Sequence, residues 1–165
     1  MIRLNFPLRR LAHLSRADFQ KYWREQHGPL VASVARTLRI RRYVQSHTVD
    51  DALYDGLRSA RTGMHEPFDG IASLWWDSRE DLLAGMSEDA ARRAGAALLE
   101  DERKFIDLPR SPLWVGQELA QINPMGENSI IASPTSSWIK FCYLLQPKAG
   151  MTQAACHKTW NMEHG

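Results

Sequence analysis

The sequence predicts an α+β fold, with elements in the order strand, helix, strand, strand, helix, strand. Three observations over its 165 residues carry that prediction. Residues 2–8 alternate apolar and polar side chains, the period of a half-buried strand. Two amphipathic stretches open on serine caps, as helices do. An apolar, aromatic run over residues 70–77 has the length and composition of a buried strand.

Element by element, Ile2, Leu4, Phe6 and Leu8 alternate with Arg3, Asn5 and Pro7, and Pro7 places the strand end at an edge or closes its pairing early. Ser15 with Asp18 three residues on is an N-cap. The helix behind it carries Phe19, Tyr22 and Trp23 on one side, and Gly28-Pro29 is expected to stop or bend it through a left-handed cap. Residues 30–38 can hold another turn or two, and residues 39–49 read as the second strand. A long connection over 50–69 has room for a helical turn near Ala52–Leu57. Ser78 and Ser87 are the expected caps of the next two helices, with Pro109 as a stop and Leu113, Val115 and Leu119 in a fourth strand. This order is the ferredoxin-like split unit.

Residues 121–137 are a linker by composition, with Asn123-Pro124, Gly126 and Ser133-Pro134. After it the beginning of the chain returns. Aligned without a gap at an offset of 137, Ile2, Ala12, Ala17, Lys21, Trp23, His27 and Gly28 recur as Ile139, Ala149, Ala154, Lys158, Trp160, His164 and Gly165. Average composition would produce roughly two such identities. Thr152 stands where Ser15 did, which keeps the cap chemistry. The expected organisation is one domain over 1–120, the linker, and an incomplete second copy over 138–165, as in a truncated tandem protein.

Composition excludes several functions. Formal charge is nearly balanced, 21 Lys and Arg against 19 Asp and Glu, with no long basic run, which argues against a dedicated nucleic-acid binder. With 44% hydrophobic residues the chain has a globular composition, and no apolar window reaches the length of a membrane span. Only Cys142 and Cys156 are present, and the N-terminus lacks a signal-peptide core, so a reducing cytoplasmic location is expected. There is no phosphate-cradling Gly loop, dinucleotide fingerprint or nucleophile-elbow serine. His157 and His164 lie seven apart near Cys156 without metal-ligand spacing, so no metal is expected.

Four spaced segments carry a family resemblance: Phe19-x-x-Tyr22-Trp23-Arg24-Glu25-Gln26-His27-Gly28-Pro29-Leu30-Val31; Arg41-Arg42-Tyr43-Val44-Gln45; Phe68-Asp69-Gly70-Ile71-Ala72-Ser73-Leu74-Trp75-Trp76-Asp77-Ser78; and Glu102-Arg103-Lys104-Phe105-Ile106-Asp107. Through them residues 1–120 resemble the EthD domain family, and residues 138–165 the start of another copy. The resemblance implies a dimeric α+β barrel, two ferredoxin-like sheets packed face to face around a cavity. It implies pairing with a like unit, as a homodimer or between tandem repeats. Relatives look like aromatic polyketide cyclases, a muconolactone methylisomerase and anthrone-type decarboxylases, which need no metal or organic cofactor. Others have been labelled reductases or accessories of ether degradation.

His27 is the leading candidate. Phe19, Trp23 and His27 fall four apart on one helical stripe, so the imidazole is expected where the buried face meets the helix end. Terminal carbonyls favour imidazolium there, whereas an apolar surround favours the neutral ring. Near balance would leave a proton-transfer group; in methylisomerase-like relatives a histidine at this place has that role. A bland alternative is that His27 only caps the helix. Tyr43 shares a strand face with Arg41, Gln45 and His47 and could hydrogen-bond a substrate carbonyl, or be a packed strand tyrosine. Leu74 stands where such isomerases have a cysteine, which puts any thiol mechanism in doubt. Trp23, His47, Trp75 and Trp76 are the expected substrate-contacting side chains, with Trp75 and Trp76 on opposite faces of their strand. Asp69 is a carboxylate candidate or a turn residue.

The leading expectation is therefore cofactor-independent acid/base chemistry on a small apolar carbonyl compound or lactone, by cyclisation, isomerisation or decarboxylation. His27 moves the proton, Tyr43 assists, and both look into an enclosed apolar hollow. The alternatives are a non-catalytic ligand-binding or accessory domain, and an EthD-family reductase.

Overall fold

The computed structural model describes residues 1–61, 63–116, 140–160 and 162. The chain forms two compact units, Met1–Glu118 and Leu119–Gly165. In the first, β1 (Ile2–Leu8), β2 (Arg42–His47), β3 (Gly70–Trp76) and β4 (Trp114–Gly116) make one antiparallel sheet in the order β2-β3-β1-β4. Between the strands lie α1 (Arg16–Tyr22), a π-helical turn (Trp23–His27), α2 (Gly28–Val34), α3 (Leu53–Ser59), α4 (Arg79–Ser87) and α5 (Asp89–Glu102). This is the ferredoxin-like α+β fold, with β1 and β3 as the central strands.

The core lies between the sheet and the helices. Phe6, Leu8 and Ala72 from the strands meet Phe19 and Trp23 from α1 and the π turn, and Phe105 and Ile106 beyond α5. Gly70 makes the close approach possible: a Cβ there would stand 2.5 Å from the Trp23 ring and 2.8 Å from the Ser46 carbonyl. Pro7 sits in a central strand without loss. The Leu8 carbonyl accepts the Asp69 N–H, so Leu8 faces β3 and Pro7 faces the other way, where pairing with β4 has already ended at Asn5.

Ser15 and Ser78 cap α1 and α4 by accepting the N–H groups of Asp18 and Asp81. Other expectations need correction. Gly28 is not a left-handed stop: its φ is −55°, and the chain runs on directly into α2. Pro29 lacks an N–H and crowds the carbonyl four residues back, and the wider π turn, with Gly28 N–H bonded to the Trp23 carbonyl, absorbs that conflict. Ser87 ends α4 instead of capping α5, whose N-cap is Glu88 without a side-chain bond. That helix stops at Glu102, well before Pro109. β2 is shorter than expected because the chain passes through Arg39 in the left-handed region, φ 56°. Arg39 pairs with Asp81 and Glu88, and Arg41 with Asp77, all at the surface.

In the second unit, Thr152 caps α6 (Gln153–Thr159) by accepting the Ala155 N–H, the same chemistry as Ser15 on α1. The expected repeat strand is not formed over residues 140–148. The linker at 121–137, Leu119, Ile139, His164 and Gly165 lie outside the described residues. No helix among the described residues is long and apolar enough to cross a membrane.

Candidate functional site

Two hydrogen-bonded groups of side chains involve the π-helical turn, one through Trp23 and the other through His27. The first runs along β2, whose period of two aims Tyr43, Gln45 and His47 at the helices. The Trp23 indole N–H donates to the Tyr43 hydroxyl at 2.8 Å, and Gln45 Nε2 donates to the same oxygen at 3.1 Å and to the Trp23 carbonyl at 2.9 Å. Because the Gln45 amide nitrogen is committed to these acceptors, its Oε1 must accept, which it does from His47 Nε2 at 2.9 Å. His47 is thereby the Nε2–H tautomer, and its buried Nδ1 has no partner among the described residues. The ring stacks on Trp23, centroids 4.6 Å apart. Burial, aided by the charge of Arg24, pushes His47 down to about 4, so the imidazole is neutral.

Tyr43 oxygen thus accepts two N–H groups, and its own O–H has no acceptor among the described residues. Burial pushes its pKa up to about 12, against the two donors, which favour phenolate. Tyr43 is a hydrogen-bond donor at neutral pH and not a base.

The second group centres on Asp101, in the last turn of α5. Its Oδ1 accepts the Tyr22 hydroxyl at 2.7 Å and the Lys104 ammonium at 3.1 Å, and its Oδ2 lies 2.9 Å from His27 Nδ1. Burial alone would raise the Asp101 pKa, but these donors hold it below the usual carboxylate range. An ionised carboxylate can only accept, so the neutral His27 carries its proton on Nδ1 and keeps Nε2 as a bare nitrogen. His27 is buried at 4% exposure, its ring 5.1 Å from that of Phe105. Burial takes its pKa below 6.5, outweighing the upward pull of Asp101.

Two expectations for His27 are corrected here. The ring is not at a helix end, because α2 continues past it, so free terminal carbonyls play no part. Nor does it cap the turn before Pro29: it bonds a side chain 74 positions away.

The other candidates separate. Trp23, Tyr43 and His47 are brought together, while His27 belongs to the Asp101 group; Trp75 lies on the opposite face of the sheet between the guanidinium groups of Arg3 and Arg42, 5.0 and 4.8 Å from its ring. Trp76 is on the helix side, but its indole N–H is bound to the Leu38 carbonyl at 2.8 Å, an anchor for the segment after α2. Leu74 pairs with Tyr43 across β2 and β3, so an apolar side chain stands beside the phenol. Asp69 is a structural acid: buried, it accepts the Arg10 N–H and pairs with the side chains of Arg10 and Arg16. Two shallow concavities are described, one lined by Asp51–Leu57 residues and one by Met1, Ile2, Ser78, Arg79, Val115 and Gly116; neither touches His27 or Tyr43. Among the described residues no group of three or more His, Cys, Asp or Glu side chains is placed to hold a metal.

Sequence reasoning missed Asp101 and Glu102. No local spacing ties Asp101 to His27; only the packing of α5 on the π turn joins them. Glu102 sat within a quoted motif, but what distinguishes it is burial, which pushes its carboxyl up to about 7 with help from the neighbouring Asp101 charge.

A ferredoxin-like α+β domain with an aspartate-supported histidine and a donor tyrosine under its helices is the class of protein defined here. The chain belongs to the EthD domain family, whose model matches residues 11–109. No curated protein matches the sequence. Among solved structures it is similar to an EthD-family protein of Bacillus halodurans, with 18% identity, TM-score 0.49, and coverage of 72% of this chain and 99% of that one. It is also similar to an EthD-like protein of Ralstonia eutropha, with 20% identity, TM-score 0.49, and coverage of 73% and 94%. HapK of Hahella chejuensis is a third, with 11% identity, TM-score 0.48, and coverage of 76% and 100%.

Proposed function

We propose that this EthD domain binds a small, largely apolar carbonyl compound or lactone and moves a proton on it without a cofactor. One observation carries the reading: Asp101, held by Tyr22 and Lys104, fixes His27 through Nδ1 and leaves Nε2 free to accept a proton. A carboxylate that orients an imidazole and offsets its positive charge as it forms is the arrangement of a general base. Nε2 takes the proton from the carbon beside the carbonyl, and the electron pair moves onto the carbonyl oxygen. Tyr43, protonated with its O–H uncommitted, donates to that oxygen. Cyclisation, isomerisation and decarboxylation all pass through such an enolate.

The test is turnover of a panel of aromatic β-keto acids and lactones by the full chain, with His27→Ala and Tyr43→Phe alongside. Loss of a general base lowers kcat by roughly 10²–10⁴-fold. Unchanged turnover in His27→Ala removes the histidine from the mechanism.

A second reading, a non-catalytic ligand-binding or accessory domain, is favoured by the two described concavities, neither of which reaches His27 or Tyr43. Saturable binding of the panel without turnover selects it. We further propose a cytoplasmic protein whose domain pairs with a like unit, as a homodimer or with a tandem copy begun at residue 138. Mass measurement in solution tests the pairing between chains, and a stable monomer of the 165 residues overturns it.

A further inference from the structure

The Gln45 side chain bridges β2 and the π turn, and both ends of its amide are engaged. Nε2 donates to the Trp23 carbonyl at 2.9 Å and to the Tyr43 oxygen at 3.1 Å, while Oε1 accepts from His47 Nε2 at 2.9 Å. Elementary chemistry fixes the direction of these bonds. A carbonyl can only accept, so the Gln45 atom beside the Trp23 carbonyl is the NH₂ nitrogen. An indole N–H can only donate, so the Tyr43 oxygen 2.8 Å from it accepts. With Trp23 and Gln45 donating to both of its lone pairs, that oxygen holds its own proton turned away from both. The carbonyl that orients the amide also accepts the Gly28 N–H, so it is a fixed part of the π turn. The packing there is close: a Cβ on Gly28 would stand 3.2 Å from Gln45 Nε2. A glycine whose φ of −55° needs no left-handed freedom thereby has a packing reason.

We propose that Gln45 is a positioning residue that acts through Tyr43: oriented by the Trp23 carbonyl, its amide donates to the phenol oxygen and so leaves the Tyr43 O–H as a free donor for the substrate carbonyl. The proposal rests on the proton-transfer reading above. Reversing the amide would set Oε1 against the Trp23 carbonyl, two oxygens 2.9 Å apart, and would draw the Tyr43 proton onto Oε1. An apolar side chain at position 45 would leave one phenol lone pair unfilled and the hydroxyl able to turn. The orientation that aims Tyr43 also sets His47. Facing the imidazole, Oε1 admits only an Nε2–H, whereas the reversed amide would donate to a bare Nε2. The tautomer of His47 therefore reports which way the Tyr43 proton points. Gln45 gains and loses no proton, and Tyr43 keeps its own while stabilising the enolate oxygen by a hydrogen bond.

Two measurements on the full chain test this. The first is nitrogen-15 NMR of the imidazoles at neutral pH, with His47→Gln for assignment. A His47 ring protonated on Nε2 and bare on Nδ1 is expected, and a ring protonated on Nδ1 overturns the proposal whatever the activity. The second is turnover of the β-keto acid and lactone panel by wild type, Gln45→Met, Tyr43→Phe and the double variant. Removing a donor to a developing oxyanion costs roughly 10²–10³-fold in kcat, and misdirecting one is expected to cost roughly 10-fold or more with KM little changed. A residue that acts through Tyr43 has nothing to act on once the hydroxyl is gone, so Gln45→Met should lower kcat no further in the Tyr43→Phe background. The same fall in both backgrounds overturns the role of Gln45, as does full activity of Gln45→Met beside an impaired Tyr43→Phe; either leaves the Tyr43 reading standing. No turnover of any compound by the wild type overturns both.

Discussion

Replacing Glu102 by Gln should stabilise the protein at neutral and alkaline pH and do nothing comparable in acid. The folded carboxyl titrates at about 7, against 4.5 for the group in an unfolded chain. Below 4.5 both states are protonated, and the group adds no pH dependence. Between 4.5 and 7 the unfolded chain releases the proton while the folded one keeps it, so stability falls as pH rises. Above 7 both are ionised and the whole penalty is present. At 1.36 kcal/mol per pKa unit the full difference is about 3 kcal/mol, and the side chain's partial contact with water reduces that to about 1–2 kcal/mol. Glutamine keeps the shape and cannot ionise. Urea denaturation followed by tryptophan fluorescence at pH 4, 5.5, 7 and 8.5 measures the difference between variant and wild type. It should grow by about 1–2 kcal/mol across that range. A difference that stays flat with pH would refute the reasoning, because the half-buried carboxylate would then carry no penalty.

Three further outcomes are expected. Gly70→Ala should destabilise the domain by about 1–3 kcal/mol, because its Cβ meets both the Trp23 ring and the Ser46 carbonyl; denaturation measures the loss, and combining it with Trp23→Leu should give less than the sum of the two losses. Asp101→Asn should cost about 1–3 kcal/mol by weakening the bonds to Tyr22, Lys104 and His27, and should move His27 further below 6.5, read from its imidazole NMR titration. His27 and His47 both have folded pKa values below 6.5, so the unfolded chain takes up protons first as pH falls. In a Glu102→Gln background, stability should therefore be full above 6.5 and decline from there towards about 4, and His47→Gln should flatten the decline.

Much of the fold could be read from local pattern. Ser15 and Ser78 announced their helices because a cap is a bond to a backbone N–H three residues away. Strands β1 and β3 were visible as alternation and as an apolar run. The π turn was not, since Gly28-Pro29 satisfies a helix stop equally well. What carries the chain past Pro29 is a widened turn that buries Trp23 and His27 against other elements. The same applies to Ser87, displaced as a cap when α4 ran one residue further.

The candidate site divides along the same line. By itself the sequence determined the α+β order, the family resemblance and which residues to suspect, His27 and Tyr43 among them, because periodicity and short motifs are local properties of a chain. Only the tertiary structure decided that Asp101 supports His27 from 74 positions away, that Trp75 lies across the sheet from Tyr43, and that the pKa of Glu102 is pushed up while that of Asp101 is held down. Protonation depends on burial and on which donors are near, and both are set by the packing of α5 against the sheet and the π turn, which no stretch of neighbouring residues encodes.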